Sequence, residues 1–201
     1  MATRTNLIAI LRGIEPHEAV AHTEQLLALG LVDIEIPTNS PKWFESVQMV
    51  VENFGSDLNI GVGTVTSATL ARQAREAGAR YIVTPNLDPS VIDMARSLGL
   101  KTCIGVFSAS EIFAAVSMGV DLLKVFPAAA LPTEYPKYIK GPLSETVRFA
   151  AVGGIDASNA QAFLAHYDAI GLGSAIYKPG QSVEQTASKG RAVQALMRTA
   201  N

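Results

Sequence analysis

One phrase recurs along the chain: a segment rich in small, helix-compatible residues, then glycine, then a short run of branched apolar residues. Leu26-Leu-Ala-Leu-Gly30 precedes Val32 to Ile36, and Ala74-Arg-Glu-Ala-Gly78 precedes Tyr81 to Val83. Ala95-Arg-Ser-Leu-Gly99 precedes Lys101 to Ile104, and Ala115-Val-Ser-Met-Gly119 precedes Leu122 to Val125. Glycine just past a helix accepts the left-handed conformation that ends it. A short, wholly apolar run suits a strand buried on both faces. Each phrase therefore predicts a step from helix to strand. Leu7 to Leu11, Asn59 to Gly63, Arg148 to Val152 and Ala169 to Leu172 supply further strand candidates, making eight at spacings of roughly 20 to 27 residues. That is the length of chain a helical crossover between parallel strands needs.

Eight such units predict an α/β fold, a compact TIM (β/α)8 barrel, with residues 1–201 forming one domain. An open, doubly wound sheet would normally carry a glycine-rich dinucleotide turn after its first strand, and Leu11-Arg12-Gly13-Ile14 is not one. Ser182 to Met197 reads as a closing helix, and no linker or low-complexity segment interrupts the pattern.

Composition narrows the partners more than the fold. With 201 residues, 48% of them hydrophobic, the chain can bury one substantial core. Its formal net charge is only -2 and no stretch gathers Lys and Arg, which argues against nucleic acid or a membrane surface as partner. No run of about 18 apolar residues occurs, so a cytoplasmic protein acting on a small molecule is expected. The single cysteine, Cys103, excludes an internal disulfide and reads as a buried strand thiol. His17, His22 and His166 have no metal-ligand spacing, so neither metal nor other cofactor is expected.

In such a barrel, chemistry gathers where strands end, at the C-terminal rim. Lys124 stands out because it interrupts the otherwise apolar Asp121-Leu-Leu-Lys-Val-Phe-Pro127. Burying an ammonium costs several kcal/mol unless it is paired or gives up its proton, and a deprotonated amine is the form that attacks a ketone. Glu35 lies between Ile34 and Ile36, and period-two alternation places it on the barrel's inner face. There it could move protons beside an imine, or merely neutralise Lys124 as a buried ion pair. Ala151-Val-Gly-Gly-Ile-Asp156 and Gly171-Leu-Gly-Ser-Ala175 place Gly153, Gly154, Gly173 and Ser174 just after strands seven and eight. Glycine lets backbone N–H groups approach an anion, and helix N-termini behind both loops would complete a phosphate cradle. Arg12 could clamp a carboxylate or stay solvated. Thr64 could bond the same end of a ligand or cap the helix that begins near Ser67. Pro85 follows strand four.

With these residues in hand, the chain resembles the bacterial aldolases for 2-dehydro-3-deoxy-phosphosugar acids over nearly its whole length. The segments that carry the resemblance are LIAILRG at Leu7 to Gly13, EIPTNSP at Glu35 to Pro41, GVGTV at Gly61 to Val65 and IVTPN at Ile82 to Asn86. LLKVFPA at Leu122 to Ala128, AVGGI at Ala151 to Ile155, and GLGSAIY followed by KPGQSVEQTA match as well. The resemblance implies a lysine-dependent, Schiff-base aldolase on a TIM barrel, usually a homotrimer, with Lys124 as the imine-forming lysine and Glu35 as acid and base. It implies substrate contacts among Arg12, Thr64, Pro85, Phe126, Val152, Gly153, Gly154, Gly173 and Ser174, and release of pyruvate and glyceraldehyde 3-phosphate. Within the family, gluconate-type members commonly carry Arg where this chain has Asn39 and Thr where it has Val152. That points to the galactonate branch, with the gluconate epimer, 4-hydroxy-2-oxoglutarate or a noncatalytic phosphosugar-binding barrel as alternatives. The family also usually shows Pro-Gly where this chain has Ile104-Gly105, a change that either alters the pocket or repacks.

Overall fold

The structure, a computed structural model, describes residues 6–198. Eight parallel strands close into a barrel in sequence order: β1 (Leu7–Ile10), β2 (Asp33–Pro37), β3 (Asn59–Gly63), β4 (Tyr81–Val83), β5 (Lys101–Val106), β6 (Leu122–Val125), β7 (Phe149–Val152) and β8 (Ala169–Leu172). The helices follow in turn: α1 (Pro16–Ala28), α2 (Trp43–Phe54), α3 (Ala68–Glu76), α4 (Pro89–Ser97), α5 (Ala109–Ser117), α6 (Tyr135–Ile139), α7 (Ala160–Leu164) and α8 (Val183–Arg198). The expected (β/α)8 architecture is therefore present, with strand limits displaced by a residue or two.

The recurring glycine phrase has one structural meaning. Gly30, Gly78, Gly99 and Gly119 all have positive φ, between 68° and 94°. Around each, the same pair of hydrogen bonds closes the helix. At the first, Leu31 N–H donates to Leu26 O and Gly30 N–H to Leu27 O, and the other three repeat this spacing. These are Schellman motifs, which satisfy the last helical carbonyls and aim the chain straight into the next strand. Helix starts are marked as clearly. The side chains of Ser67, Asp88 and Ser108 cap α3, α4 and α5, and Ser108 forms a capping box with Glu111.

Alternation sorts the strand residues into two faces. Leu7, Ala9, Ile34, Ile36, Ile60, Val62, Ile82, Leu123, Val125, Phe149, Ala151, Ile170 and Leu172 join the core between the sheet and its helices. Their neighbours point into the barrel, where Ile8, Ile10, Val152, Tyr81, Val83, Cys103 and Leu122 form two small apolar clusters. Glu35 and Lys124 share that interior. Room for them comes from inward positions that lack side chains. A Cβ on Gly63 would collide with the Glu35 carboxylate, one on Gly61 with the Tyr81 ring, and one on Gly171 with Val152. Tyr81 uses this space to reach over β3 to β2, where its hydroxyl donates to Ile34 O at 2.9 Å.

A cavity of about 560 Å³ lies at the N-terminal end of the barrel, below Tyr81 and Cys103. Its polar lining is tied into the framework: Lys101 pairs with Asp121 at 2.8 Å, and Asp121 also accepts from the Thr102 N–H and hydroxyl. Conserving strand order and closure is the usual business of that face, so the chemistry is sought at the opposite rim. The packing against Gly61 gives a test. Gly61→Ala is expected to destabilise the fold by about 1–3 kcal/mol through overpacking. In a Tyr81→Ala background the same change should cost much less, which paired denaturant melts would read directly.

Candidate active site

Strand β6 carries Lys124 into the interior because its neighbours Leu123 and Val125 are committed to the outer core. Strand β2 does the same for Glu35 through Ile34 and Ile36. Both charged side chains are almost wholly buried, Lys124 at 6% and Glu35 at 3% exposure. They do not form an ion pair: among the described residues, no oxygen of Glu35 lies within 4.0 Å of the Lys124 nitrogen. Lys124 instead donates to Thr84 O at 3.1 Å, and its nitrogen stands 4.6 Å from the centre of the Phe126 ring. The Glu35 carboxylate accepts no hydrogen bond from a described residue. The neutralising ion pair considered from the sequence is thus absent from this arrangement.

The two charges still feel one another. Burial raises the Glu35 pKa above the ordinary carboxylate value, and attraction from Lys124 and then Arg12 opposes the rise without cancelling it. Cys103, on the same inner face, has its thiol pushed up to about 12, mainly by burial, so it is a protonated wall of the site. A carboxyl group with a raised pKa and a buried amine, both facing one space and neither consumed by the other, can respectively move protons and attack a carbonyl.

The rim residues converge around this pair. Arg12, one residue beyond Leu11 at the end of β1, is exposed and held by Asn39, whose Oδ1 accepts from its Nη1 at 2.7 Å. Gly13 N–H donates to Ser40 Oγ at 2.9 Å, tying the first two loops together. Thr64 has φ 57°, a conformation that β-branched residues rarely adopt. Its carbonyl is held there by the Thr38 hydroxyl at 2.8 Å. The α3 cap is Ser67, not Thr64, whose hydroxyl has no partner among the described residues. A strained residue with a free hydroxyl at the rim favours the ligand-contact alternative. Val152 lies in the interior against Ile8 and Ile10.

The glycine loops require one correction. Gly153 and Gly154 have φ 94° and 75°; a side chain at Gly154 would clash with Ala129, and one at Gly153 would press on Phe126 and Pro127. However, no helix begins directly behind either loop. Helix α7 starts at Ala160, and α8 only at Val183, because Gly173 to Tyr177 forms a single hydrogen-bonded turn with Gly173 O accepting from Ile176 and Tyr177 N–H. Free amides remain: among the described residues, the N–H groups of Gly154, Ile155, Ser174 and Ala175 have no backbone or side-chain acceptor. Gly173 itself faces open space. An anion at these loops would meet loop amides rather than helix ends.

Ile104 points away from the site and is fully buried, whereas Gly105 faces inward, where Pro85 and Asn86 pack onto it. Ile104 therefore lies on the outer face of β5, and Gly105 keeps the inner position. Sequence reasoning missed Thr84 and Tyr81. Thr84 is 1% exposed, and its only sequence signal was a hydroxyl residue between a strand and a proline. Tyr81 was counted as an apolar strand residue.

A barrel with a buried Lys–Glu pair and loop amides after its last two strands defines a lysine-bearing enzyme site of the aldolase type. The profile of the KDPG and KHG aldolases matches residues 1–189, and the chain belongs to this family. It is 40% identical over 191 residues to the 2-dehydro-3-deoxy-6-phosphogalactonate aldolase of Escherichia coli K12, covering 94% of this chain and 93% of that one. A solved native KDPGal structure superposes with a TM-score of 0.95 at 38% identity, covering 98% and 97% of the two chains. The KDPG aldolase of Legionella pneumophila, solved with pyruvate captured as a covalent carbinolamine, superposes with a TM-score of 0.82 at 25% identity, covering 98% and 94%.

The raised Glu35 pKa carries a stability consequence. A carboxyl group whose folded pKa exceeds its unfolded one contributes stability that is full below the unfolded pKa and is lost as pH rises through the folded value. Glu35→Gln should therefore melt at a higher temperature than the parent at pH 8. The gain should shrink as pH falls toward the ordinary carboxylate range. Thermal melts across pH 4 to 8 would check the sign.

Proposed function

We propose that this aldolase cleaves 2-dehydro-3-deoxy-6-phosphogalactonate to pyruvate and glyceraldehyde 3-phosphate through an imine on Lys124, with Glu35 as the proton carrier. The observation that carries the reading is the separation of the two buried charges: each faces the interior, and neither is neutralised by contact with the other. A structural ion pair would have closed that gap. The carbinolamine reported for the Legionella relative is the intermediate this reading calls for.

In the proposed cycle, the Lys124 amine attacks the C2 ketone. Glu35 returns a proton to the departing oxygen, water leaves, and a protonated imine remains. Glu35, directly or through a water, takes the C4 hydroxyl proton as the C3–C4 bond breaks. The bonding pair flows toward the imine nitrogen, giving an enamine and releasing the aldehyde as glyceraldehyde 3-phosphate. Protonation at C3 and hydrolysis then yield pyruvate and the free amine. Lys124 is the electron sink, so the cycle needs no cofactor. Arg12 and Thr64 receive the carboxylate end, Phe126, Pro85 and Val152 shape the walls, and the amides around Gly153, Gly154, Gly173 and Ser174 hold the phosphate. These contacts supply orientation, which can contribute as much as the proton transfers themselves. The galactonate epimer is preferred here because Val152 offers no hydroxyl toward the sugar. The relative named for that epimer is also more similar to this chain than the gluconate-named one. A homotrimer in the cytoplasm belongs to the same reading, and sedimentation would test the assembly.

Borohydride with pyruvate tests the chemistry. The parent chain should gain the mass of a reduced pyruvate adduct on Lys124, and Lys124→Met should gain none; an unmodified parent sinks the imine mechanism. Glu35→Gln should lower kcat by about 10²–10⁴. Val152→Thr should move the ratio of kcat/KM for the two epimers toward gluconate by about tenfold or more. Equal efficiency of the parent on both epimers would overturn the assigned preference.

A further inference from the structure

The partner of Lys124 is not the carboxylate across the barrel but a backbone carbonyl, and that carbonyl is unusually well fixed. Thr84 follows β4 and is buried. Its N–H donates to Cys103 O at 3.0 Å. Its hydroxyl accepts from Gly105 N–H at 2.9 Å and donates to Asn86 O at 2.7 Å. Its carbonyl receives the Lys124 amine at 3.1 Å. Gly105 is also the residue that pairs in register with Lys124 between β5 and β6. A Cβ on Gly105 would strike the Pro85 carbonyl and the Asn86 nitrogen, so the turn from Thr84 to Asn86 is pressed onto β5 beside the lysine.

We propose that Thr84 is the positioning residue for Lys124: its hydroxyl, engaged as acceptor and donor, fixes its carbonyl, and that carbonyl holds the one N–H that Lys124 retains through the imine. The proposal rests on the reading of Lys124 as the imine-forming lysine. A free amine bonded to Thr84 O through one N–H has its lone pair directed by that bond. After attack on the ketone and loss of water, the nitrogen carries Cε, the substrate C2 and a single hydrogen. That hydrogen has the same carbonyl waiting for it. The bond is strongest while the nitrogen is cationic, since a charge-assisted hydrogen bond is about twice as strong as a neutral one. It therefore favours the protonated imine, the species that accepts the electron pair when C3–C4 breaks. The side chain of Thr84 never meets the substrate in this scheme; it acts through the lysine.

A substitution series separates positioning from packing. Thr84→Ser keeps the hydroxyl and loses a methyl, Thr84→Val keeps the shape and loses the hydroxyl, and Thr84→Cys retains only a weak donor. Expected for Thr84→Val are a kcat lowered by about 10- to 100-fold, as for a misplacement near 1 Å, a KM within about threefold of the parent, and an alkaline limb of the kcat–pH profile displaced to lower pH. Thr84→Ser should stay within about threefold of the parent with an unmoved limb, and Thr84→Cys should fall between. Equal loss in the Ser and Val variants, or a folded Val variant with parental kcat and pH profile, would overturn the proposal. If Thr84→Val does not fold, the Ser and Cys pair decides by the same readings, and identical behaviour of the two overturns it. Borohydride trapping of the parent with pyruvate keeps the two levels apart: no adduct defeats the imine reading itself, whereas an adduct together with an unaffected Val variant defeats only the role of Thr84.

Discussion

Closing eight parallel strands leaves an interior that side chains must fill, and everything distinctive about this site follows from how it is filled. In most of the circumference the inward residues are apolar and pack on one another, as Ile8, Ile10 and Val152 do. Gly61 and Gly63 on β3 and Gly105 on β5 break the pattern on either side of β4. Without those absent side chains Tyr81 could not cross beneath the site, Glu35 would be displaced, and the Thr84 turn could not lie against β5. The buried pair is thus housed by subtraction. Its two charges sit in space that the packing leaves open, close enough for Lys124 to oppose the rise in the Glu35 pKa and too far apart to form an ion pair.

That constraint also explains why the supporting contacts come from backbone rather than from further charges. A third buried ion would carry a desolvation cost of several kcal/mol. Carbonyls and amides are already present at every strand end and need only be left unpaired or aimed inward. Thr84 O serves the amine, and the free N–H groups after β7 and β8 face the rim. The hydroxyls of Thr84, Thr38 and Ser40 do the aiming. Thr38 and Ser40 bond the backbone of an adjoining loop and Thr84 bonds that of β5, and so they transfer the rigidity of the barrel to the turns above it.

Much of this was legible in the chain. The glycine that ends a helix and the apolar run after it are local features, and four of them, with four further apolar runs, predicted the barrel and placed its strands to within a residue or two. Lys124 and Glu35 were visible because a charge inside an apolar run is a local contradiction that only burial with a purpose resolves. What escaped was relational. Gly61 and Gly63 read as ordinary strand glycines until Tyr81 and Glu35 are seen filling their space, since nothing in either segment names its neighbour on the adjacent strand. Thr84 escaped for the same reason: its hydroxyl partners lie two and twenty-one residues away, and the lysine it serves lies forty away. The glycine loops after β7 and β8 stand where the sequence put them but lack the helix ends expected behind them, because Gly173 to Tyr177 closes on itself as a turn and postpones α8.

The late start of α8 has its own logic. The stretch from Ser174 to Ser182 is braced from behind. Gln181 donates to Ile176 O and to Thr186, and Lys189, reaching back from α8, donates to Gln181 and to Ser174 O. Thr186 is in turn bonded to the buried His22 of α1, whose pKa burial lowers. A helix beginning directly after β8 would have presented its dipole to the ligand but consumed the loop that carries these contacts. In its place stands a turn in which the Ser174 and Ala175 amides stay free, braced through Thr186 by a neutral histidine and by two glutamine-centred bonds to the last helix. The effect is a rim whose loop backbone is held by side chains, around two buried charges, Lys124 and Glu35, that form no ion pair with each other.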